Sequence, residues 1–154
     1  MASPNLAAGL LMCKPEGGAL YFFLVHPGGP FFKNKDAGAW TIPKGVPEPN
    51  EELPTAAIRE FEEETGIKPS GEFHPLGTVQ QRGGKIIHAW AFSGQWEAND
   101  GITSNTFSLE WPPKSGKFRD FPEVDRAGWF AYEEAVQKIN PAQTAFLDRA
   151  KQFF

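Results

Sequence analysis

Between Glu48 and Glu64 the chain places seven of its 19 carboxylates within 17 residues, and Arg59 is the only cation among them. Such crowding repels itself, so the concentration of acid needs a reason. The same stretch is the best helix candidate in the sequence. From Leu53 to Thr65, the side chains of Leu53, Ala57, Ile58 and Phe61 fall on one arc at 100° per residue, as a packed helix face should. Pro54 suits the first turn, where its missing N–H is no loss, and Gly66 suits the position just past the end. On this helix Glu60, Glu63 and Glu64 are separated by steps of three and four and lie within about 100° of one another, while Glu62 points to solvent. Like charges at that spacing destabilise a helix by about 0.2–0.5 kcal/mol per pair. A divalent cation among them removes the repulsion, and oxygen ligands without histidine or cysteine favour Mg²⁺ or Mn²⁺. The plainer reading is a solvated acidic face.

Around this helix the sequence mixes strands with loops. Sixteen glycines and 14 prolines in 154 residues predict a loop-rich fold rather than a helical bundle. Asn5 to Cys13 and Ala19 to Val25 are apolar runs joined by Lys14-Pro15-Glu16-Gly17-Gly18, the pattern of a hairpin. In the second run both alternating sets are apolar, as in a strand covered on both faces. Residues 26–38 read as a loop and Ala39 to Ile42 as a short strand ending at Pro43. Two more strands are expected at about Phe73 to Gln81 and Lys85 to Gln95. In the latter, Ile86, His88, Trp90 and Phe92 share one face and Ile87, Ala89 and Ala91 the other, which predicts a second central strand with His88 hydrogen-bonded in the core. Trp96 to Arg126 has no persistent period and reads as a long, packed, aromatic-rich loop. Ala127 to Tyr132 reads as the last strand. Glu133 to Ile139 and Pro141 to Phe153 read as helices, the second capped by Asn140. With no repeat and no linker, residues 1–154 form a single α+β domain.

Several function classes are excluded. The longest apolar run, Ala19 to Val25, is far short of the roughly 20 residues of a membrane-spanning helix. The start, Met-Ala-Ser-Pro-Asn, lacks the basic residues of a secretory signal, so a cytoplasmic protein is expected. The single cysteine, Cys13, rules out an internal disulfide framework and a cysteine-based zinc site. A net charge of −4 argues against a nucleic-acid-coating protein. His26, His74 and His88 show no ligand spacing, and there is no P-loop, dinucleotide fingerprint or serine nucleophile elbow.

Read from Gly45, the chain runs Gly45, five residues, Glu51, seven residues, Arg59-Glu60-Phe61, one residue, Glu63-Glu64, one residue, Gly66-Ile67. This 23-residue pattern resembles an unbroken Nudix box, the signature of the Nudix hydrolases. The resemblance implies an α/β/α sandwich with a mixed β-sheet and Mg²⁺- or Mn²⁺-dependent cleavage of a diphosphate linkage in a nucleoside diphosphate derivative. It makes Glu60, Glu63 and Glu64 metal-binding carboxylates, with the Lys44 carbonyl as a further ligand and Arg59 orienting a helix carboxylate. Glu51 would secure the loop–helix geometry or lie near the metal through water. Gly45 would serve a tight loop and Gly66 the helix end. The general base is either a box glutamate or a distal carboxylate, Glu123 first and Glu110 second. Arg82 and Lys85, flanking Gly83-Gly84, are candidate phosphate-binding cations, and Trp111, Phe118 and Phe121 are candidates for stacking on a base.

The flank Trp40-Thr41-Ile42-Pro43-Lys44-Gly45 resembles that of diadenosine polyphosphate hydrolases, which implies a dinucleoside polyphosphate such as diadenosine tetraphosphate, with the Lys44 ammonium on a phosphate. Asn50 stands where those enzymes have Gly. A nucleoside triphosphate pyrophosphohydrolase, a nucleotide-sugar hydrolase and a catalytically silent nucleotide sensor are the alternatives. Sensors of this kind usually lose box carboxylates, and none is missing here. A small-molecule nucleotide is the expected partner.

Overall fold

Two adjacent strands with apolar side chains on both faces set the layering. β1 (Leu6–Glu16) and β2 (Ala19–Pro27) pair antiparallel around Gly17 and Gly18, both at positive φ. On β1, Ala7, Leu11 and Cys13 enter one core cluster while Ala8, Leu10 and Met12 enter the other; on β2, Phe22 and Leu24 oppose Phe23 and Val25 in the same way. The structure is a computed structural model that describes residues 5–154; Met1 to Pro4, and with them the reading of the N-terminal start, lie outside the described residues.

β3 (Lys44–Gly45) attaches to β1 opposite Ala8 and Gly9. The sheet continues with β4 (His74–Gln80), β5 (Ile86–Ser93) and β8 (Val124–Ala131), in the order β4-β5-β1-β2-β8. β1 and β5 run parallel and the other pairs antiparallel, so the sheet is mixed. One face is covered by α1 (Leu53–Thr65), which buries Ala56, Ala57 and Phe61 against Phe23 and Phe92. The Phe61 ring lies 5.9 Å from Phe23 and 5.3 Å from Phe92, in tilted and edge-on geometry. The other face receives Ala135 of α2 (Tyr132–Lys138) and Phe146, Leu147 and Ala150 of α3 (Thr144–Ala150). Helices on both sides of one sheet make the expected α/β/α sandwich. Among the described residues no helix is long and apolar enough to cross a membrane.

Four local expectations are corrected. Residues 96–126 are not one loop: a 3₁₀ turn at Ala98–Asp100 precedes an antiparallel hairpin of β6 (Thr106–Glu110) and β7 (Phe118–Pro122), and β8 begins at Val124. These strands pair only with each other and bury little, Phe118 being 68% exposed, so no core imposes an alternating pattern on them. Ala39 to Ile42 forms only isolated bridges, Thr41 to Val25 and Trp40 to Ile139, because its backbone is shared between β2 and the end of α2. Residues 141–153 form a 3₁₀ turn, α3 and a second 3₁₀ turn. Asn140 does cap the first turn, accepting from the Ala142 N–H at 3.0 Å. The buried Gln143 side chain, bonded to Thr41, Ile42 and Gln81, pins that turn. β5 is internal as expected, yet Ile86 is exposed and His88 is half-buried, stacked on Trp90 at 4.5 Å, because α1 covers only the Phe92 end of that face.

α1 ends at Gly66, whose φ of 79° is left-handed and whose N–H donates to the Glu62 carbonyl at 2.8 Å. A methyl group at this position would stand 3.1 Å from Thr103 Cβ. Gly66→Ala is therefore expected to destabilise the fold by about 1–2 kcal/mol. Thermal denaturation checks this, and an unchanged Tm would contradict it.

Candidate active site

The charged side of α1 faces the Lys44–Val46 segment at very short range. A methyl group built on Gly45 would fall onto the Glu60 carboxyl group. Gly45 lies in β3 without a positive φ, so the close approach, rather than a tight turn, is what glycine serves here. The tight position is at Asn50, with φ 65°. That left-handed region favours glycine and then asparagine, so an asparagine in place of glycine keeps the loop's conformation.

Arg59 binds the loop and the helix together. Its Nε and Nη2 donate to the two oxygens of Glu51 at 2.9 Å each, a bidentate pair, and Nη1 donates to Glu60 at 3.0 Å and Glu63 at 3.2 Å. Glu51 also accepts the Glu48 N–H at 2.9 Å. The Arg59 guanidinium holds the Glu51 carboxyl below the usual carboxylate range, and Glu51 in turn holds Arg59 more firmly protonated. Glu51 thus joins residues 48–51 to the helix.

Beside this network lies a cavity of about 260 Å³ lined by Lys44, Gly45, Val46, Glu60, Glu64, Asn105 and Glu123. Burial pushes the Glu64 carboxyl from 4.5 up to about 8; the Lys44 ammonium and a hydrogen bond from the Lys44 N–H oppose this, and the charges of Glu60 and Glu123 add to it. Burial also raises Glu60, against the pull of Arg59. Lys44 is lowered, first by burial and then by Lys85, against the attraction of Glu64. Glu123 reaches the cavity from the root of the β6–β7 hairpin. Its N–H donates to the Asn105 carbonyl and its own carbonyl accepts from Gly28, both at 2.9 Å. The Asn105 N–H donates to the Glu63 carbonyl at 2.8 Å, which ties this root to the end of α1.

Of the residues singled out in the sequence, Glu60, Glu64, Glu123 and Lys44 therefore share one cavity. Glu63 turns to Arg59, with its side chain 40% exposed. Glu110 lies elsewhere, accepting N–H groups of Lys114 and Gly116 within the hairpin's own loop. Arg82 lines a separate cavity of about 470 Å³ with Gln81 and Asn140, while Lys85 acts on Lys44 through its charge. Trp111 packs edge-on against Phe31, and Phe121 lies tilted against Phe107. A further cavity of about 160 Å³, holding Phe32, Thr41 and Gln143, shares Lys44 with the acidic cavity and shares Gln81 and Asn140 with the outer one. Asn105, Phe32 and Gln143 carry no local sequence signal, because their roles arise only from contacts between distant segments.

The donor chemistry suits a hard divalent cation: Glu60, Glu64 and Glu123 offer carboxylate oxygen, with no thiol or imidazole in the cavity. Among the described residues no three acidic, histidine or cysteine side chains stand in ready ligand geometry, and Glu60 and Glu63 lean on Arg59. Protons and cations would compete for Glu64. An acid whose pKa is raised on folding favours the folded state below its unfolded value and loses that contribution as pH climbs to the folded value. Chelated protein is therefore expected to lose thermal stability from about pH 4.5 to 8, the span of the Glu64 shift. Added Mg²⁺ should raise Tm more at pH 8 than at pH 5. A Tm that rises with pH across this window in chelator would contradict the prediction.

A family model described as NUDIX domain matches residues 3–150. An Ap4A hydrolase from C. elegans, crystallised as a binary complex, superposes with a TM-score of 0.65 at 23% identity, covering 96% of each chain. The NUDIX domain of Shewanella oneidensis NrtR, complexed with ADP ribose, superposes at 0.64 with 15% identity, over 99% of this chain and 89% of that one. A MutT protein from Methanosarcina mazei gives 0.58 at 20% identity, over 96% and 92%. At these identities the likenesses speak for the fold.

Proposed function

We propose, since the chain belongs to the NUDIX domain family, that it is a single-domain cytoplasmic hydrolase that cleaves a phosphoanhydride bond of a dinucleoside polyphosphate such as diadenosine tetraphosphate with Mg²⁺ or Mn²⁺. The observation that carries the reading is the meeting of Glu60 and Glu64 from one helix with Glu123 from a distant hairpin root around Lys44. Glu60, Glu63, Glu64 and the Lys44 carbonyl would hold the cation, which when bound neutralises phosphate charge and acidifies a water. Glu63 would join them by turning from Arg59. Glu123 takes the proton of the attacking water as its oxygen bonds to phosphorus and the bridging P–O bond breaks. Lys44 places its ammonium against a phosphate oxygen, and Arg59 holds the helix carboxylates in place.

The substrate length is supported by three cavities that share lining residues, the acidic one meeting the middle one at Lys44 and the middle one meeting that of Arg82 at Gln81 and Asn140. An extended polyphosphate with a group at each end would run across these cavities, with Arg82 and Lys85 meeting its outer phosphates. A panel of nucleoside di- and triphosphates, nucleotide sugars and dinucleoside polyphosphates, assayed with Mg²⁺ and product separation, tests the reading. Release of ATP and AMP from diadenosine tetraphosphate is expected. Release of pyrophosphate from a nucleoside triphosphate at far higher efficiency would overturn the substrate, and binding without hydrolysis of any diphosphate would favour a sensor.

A further inference from the structure

The acidic cavity has an excess of acceptors. Glu60, Glu64 and Glu123 present carboxylate oxygens, and a phosphate entering the cavity brings only more oxygen. Two lining residues carry nitrogen donors, Lys44 and Asn105. Lys44 stands in the field of Glu64, Glu60 and Glu123. Asn105 is neutral, and its amide keeps both N–H groups at every working pH. Among the described residues its side chain makes no hydrogen bond, although its backbone is held on both sides. The N–H donates to Glu63 at 2.8 Å, and the carbonyl accepts from the Glu123 N–H at 2.9 Å and from the Ser104 hydroxyl at 2.8 Å. These bonds fix the Asn105 backbone between the end of α1 and Glu123, and the exposed residue stands at the rim of the cavity.

We infer that Asn105 is a catalytic residue that donates its side-chain amide N–H to a non-bridging oxygen of the phosphate under attack; the inference rests on the hydrolase reading above. A neutral donor steadies phosphate charge without drawing the metal-binding carboxylates into an ion pair, as an added lysine would.

Asn105→Ala and Asn105→Asp separate this role from a structural one. Both keep the backbone bonds, and Asn105→Ala decides the matter should Asn105→Asp fail to fold. Two readouts are taken: kcat/KM on the diphosphate that the wild type cleaves best, and calorimetric affinity for methylenediphosphonate, a non-hydrolysable diphosphate, in the presence of Mg²⁺. Asn105→Ala is expected to lower kcat/KM about tenfold, the loss of one hydrogen bond to a charged group, and to weaken methylenediphosphonate binding several-fold. Asn105→Asp should lose more in both, since it turns a donor into a negative charge facing phosphate. Values for Asn105→Ala within twofold of wild type in both readouts, or equal losses in the two variants, would overturn the inference. A wild type that cleaves no diphosphate would instead refute the hydrolase reading, and the methylenediphosphonate affinities would still decide the part of Asn105.

Discussion

Glu64→Gln is expected to remove turnover almost completely while leaving the metal-free protein as stable as the wild type or more so. The exchange keeps the side chain's volume, and its carbonyl oxygen still accepts the Lys44 N–H. What disappears is a buried negative charge whose proton is held up to about 8. At pH 8 the wild type must ionise this group against burial and against Glu60 and Glu123, a penalty the amide does not carry. Loss of a charge proposed to grip the cation should cost about 4 kcal/mol of transition-state stabilisation, roughly a thousandfold in rate. Turnover at saturating Mg²⁺ and Tm in chelator at pH 8 are the paired measurements. A solvated acidic face without metal would leave turnover untouched. Full activity in both Glu64→Gln and Glu63→Gln would remove the metal assignment altogether.

Arg59→Ala is expected to damage both stability and catalysis, and Arg59→Lys to rescue only part of the loss. One guanidinium bonds Glu51 through two nitrogens and reaches Glu60 and Glu63 through the third. Removing it leaves three carboxylates facing one another with their partner gone. The Arg59 and Glu51 side chains are 25% and 11% exposed, so solvent screens the pair only in part. A loss of about 2–3 kcal/mol in stability follows from hydrogen bonds to charged groups at this burial. A fall of about 100-fold in activity follows from releasing the side chains proposed to bind the metal. Lysine supplies charge without the planar fork and cannot hold Glu51 and Glu60 together. Denaturant unfolding and Mg²⁺ titration of kcat/KM check both parts, and a fully active Arg59→Lys variant would show that charge alone suffices.

The helix was readable because its signals are local. Pro54, the arc of Leu53, Ala57, Ile58 and Phe61, and Gly66 bracket a helix that spans Leu53–Thr65, and the spacing of its glutamates follows from 3.6 residues per turn. The two-faced strands were readable for the same reason, since burial on both sides leaves an unbroken apolar run. The β6–β7 hairpin was not, because a pair of strands that buries little imprints no alternation. The direction of Glu63 was not legible either: helical spacing places it near Glu60 and Glu64, but Arg59 draws its carboxylate aside at 3.2 Å.

The box spacing and its family likeness are properties of the order of residues, so the chain alone determined the acidic helix and the Nudix family. Which distant groups stand opposite that helix is a matter of chain return, which no local period encodes. Only the folded molecule brings Glu123, and not Glu110, to the acidic cavity, because the bonds Asn105 N–H to Glu63 and Glu123 N–H to Asn105 set the hairpin's root, and not its tip, against the end of α1. Only the fold gave Gly45 its reason, by laying the Glu60 carboxylate over a backbone that has no room for a side chain.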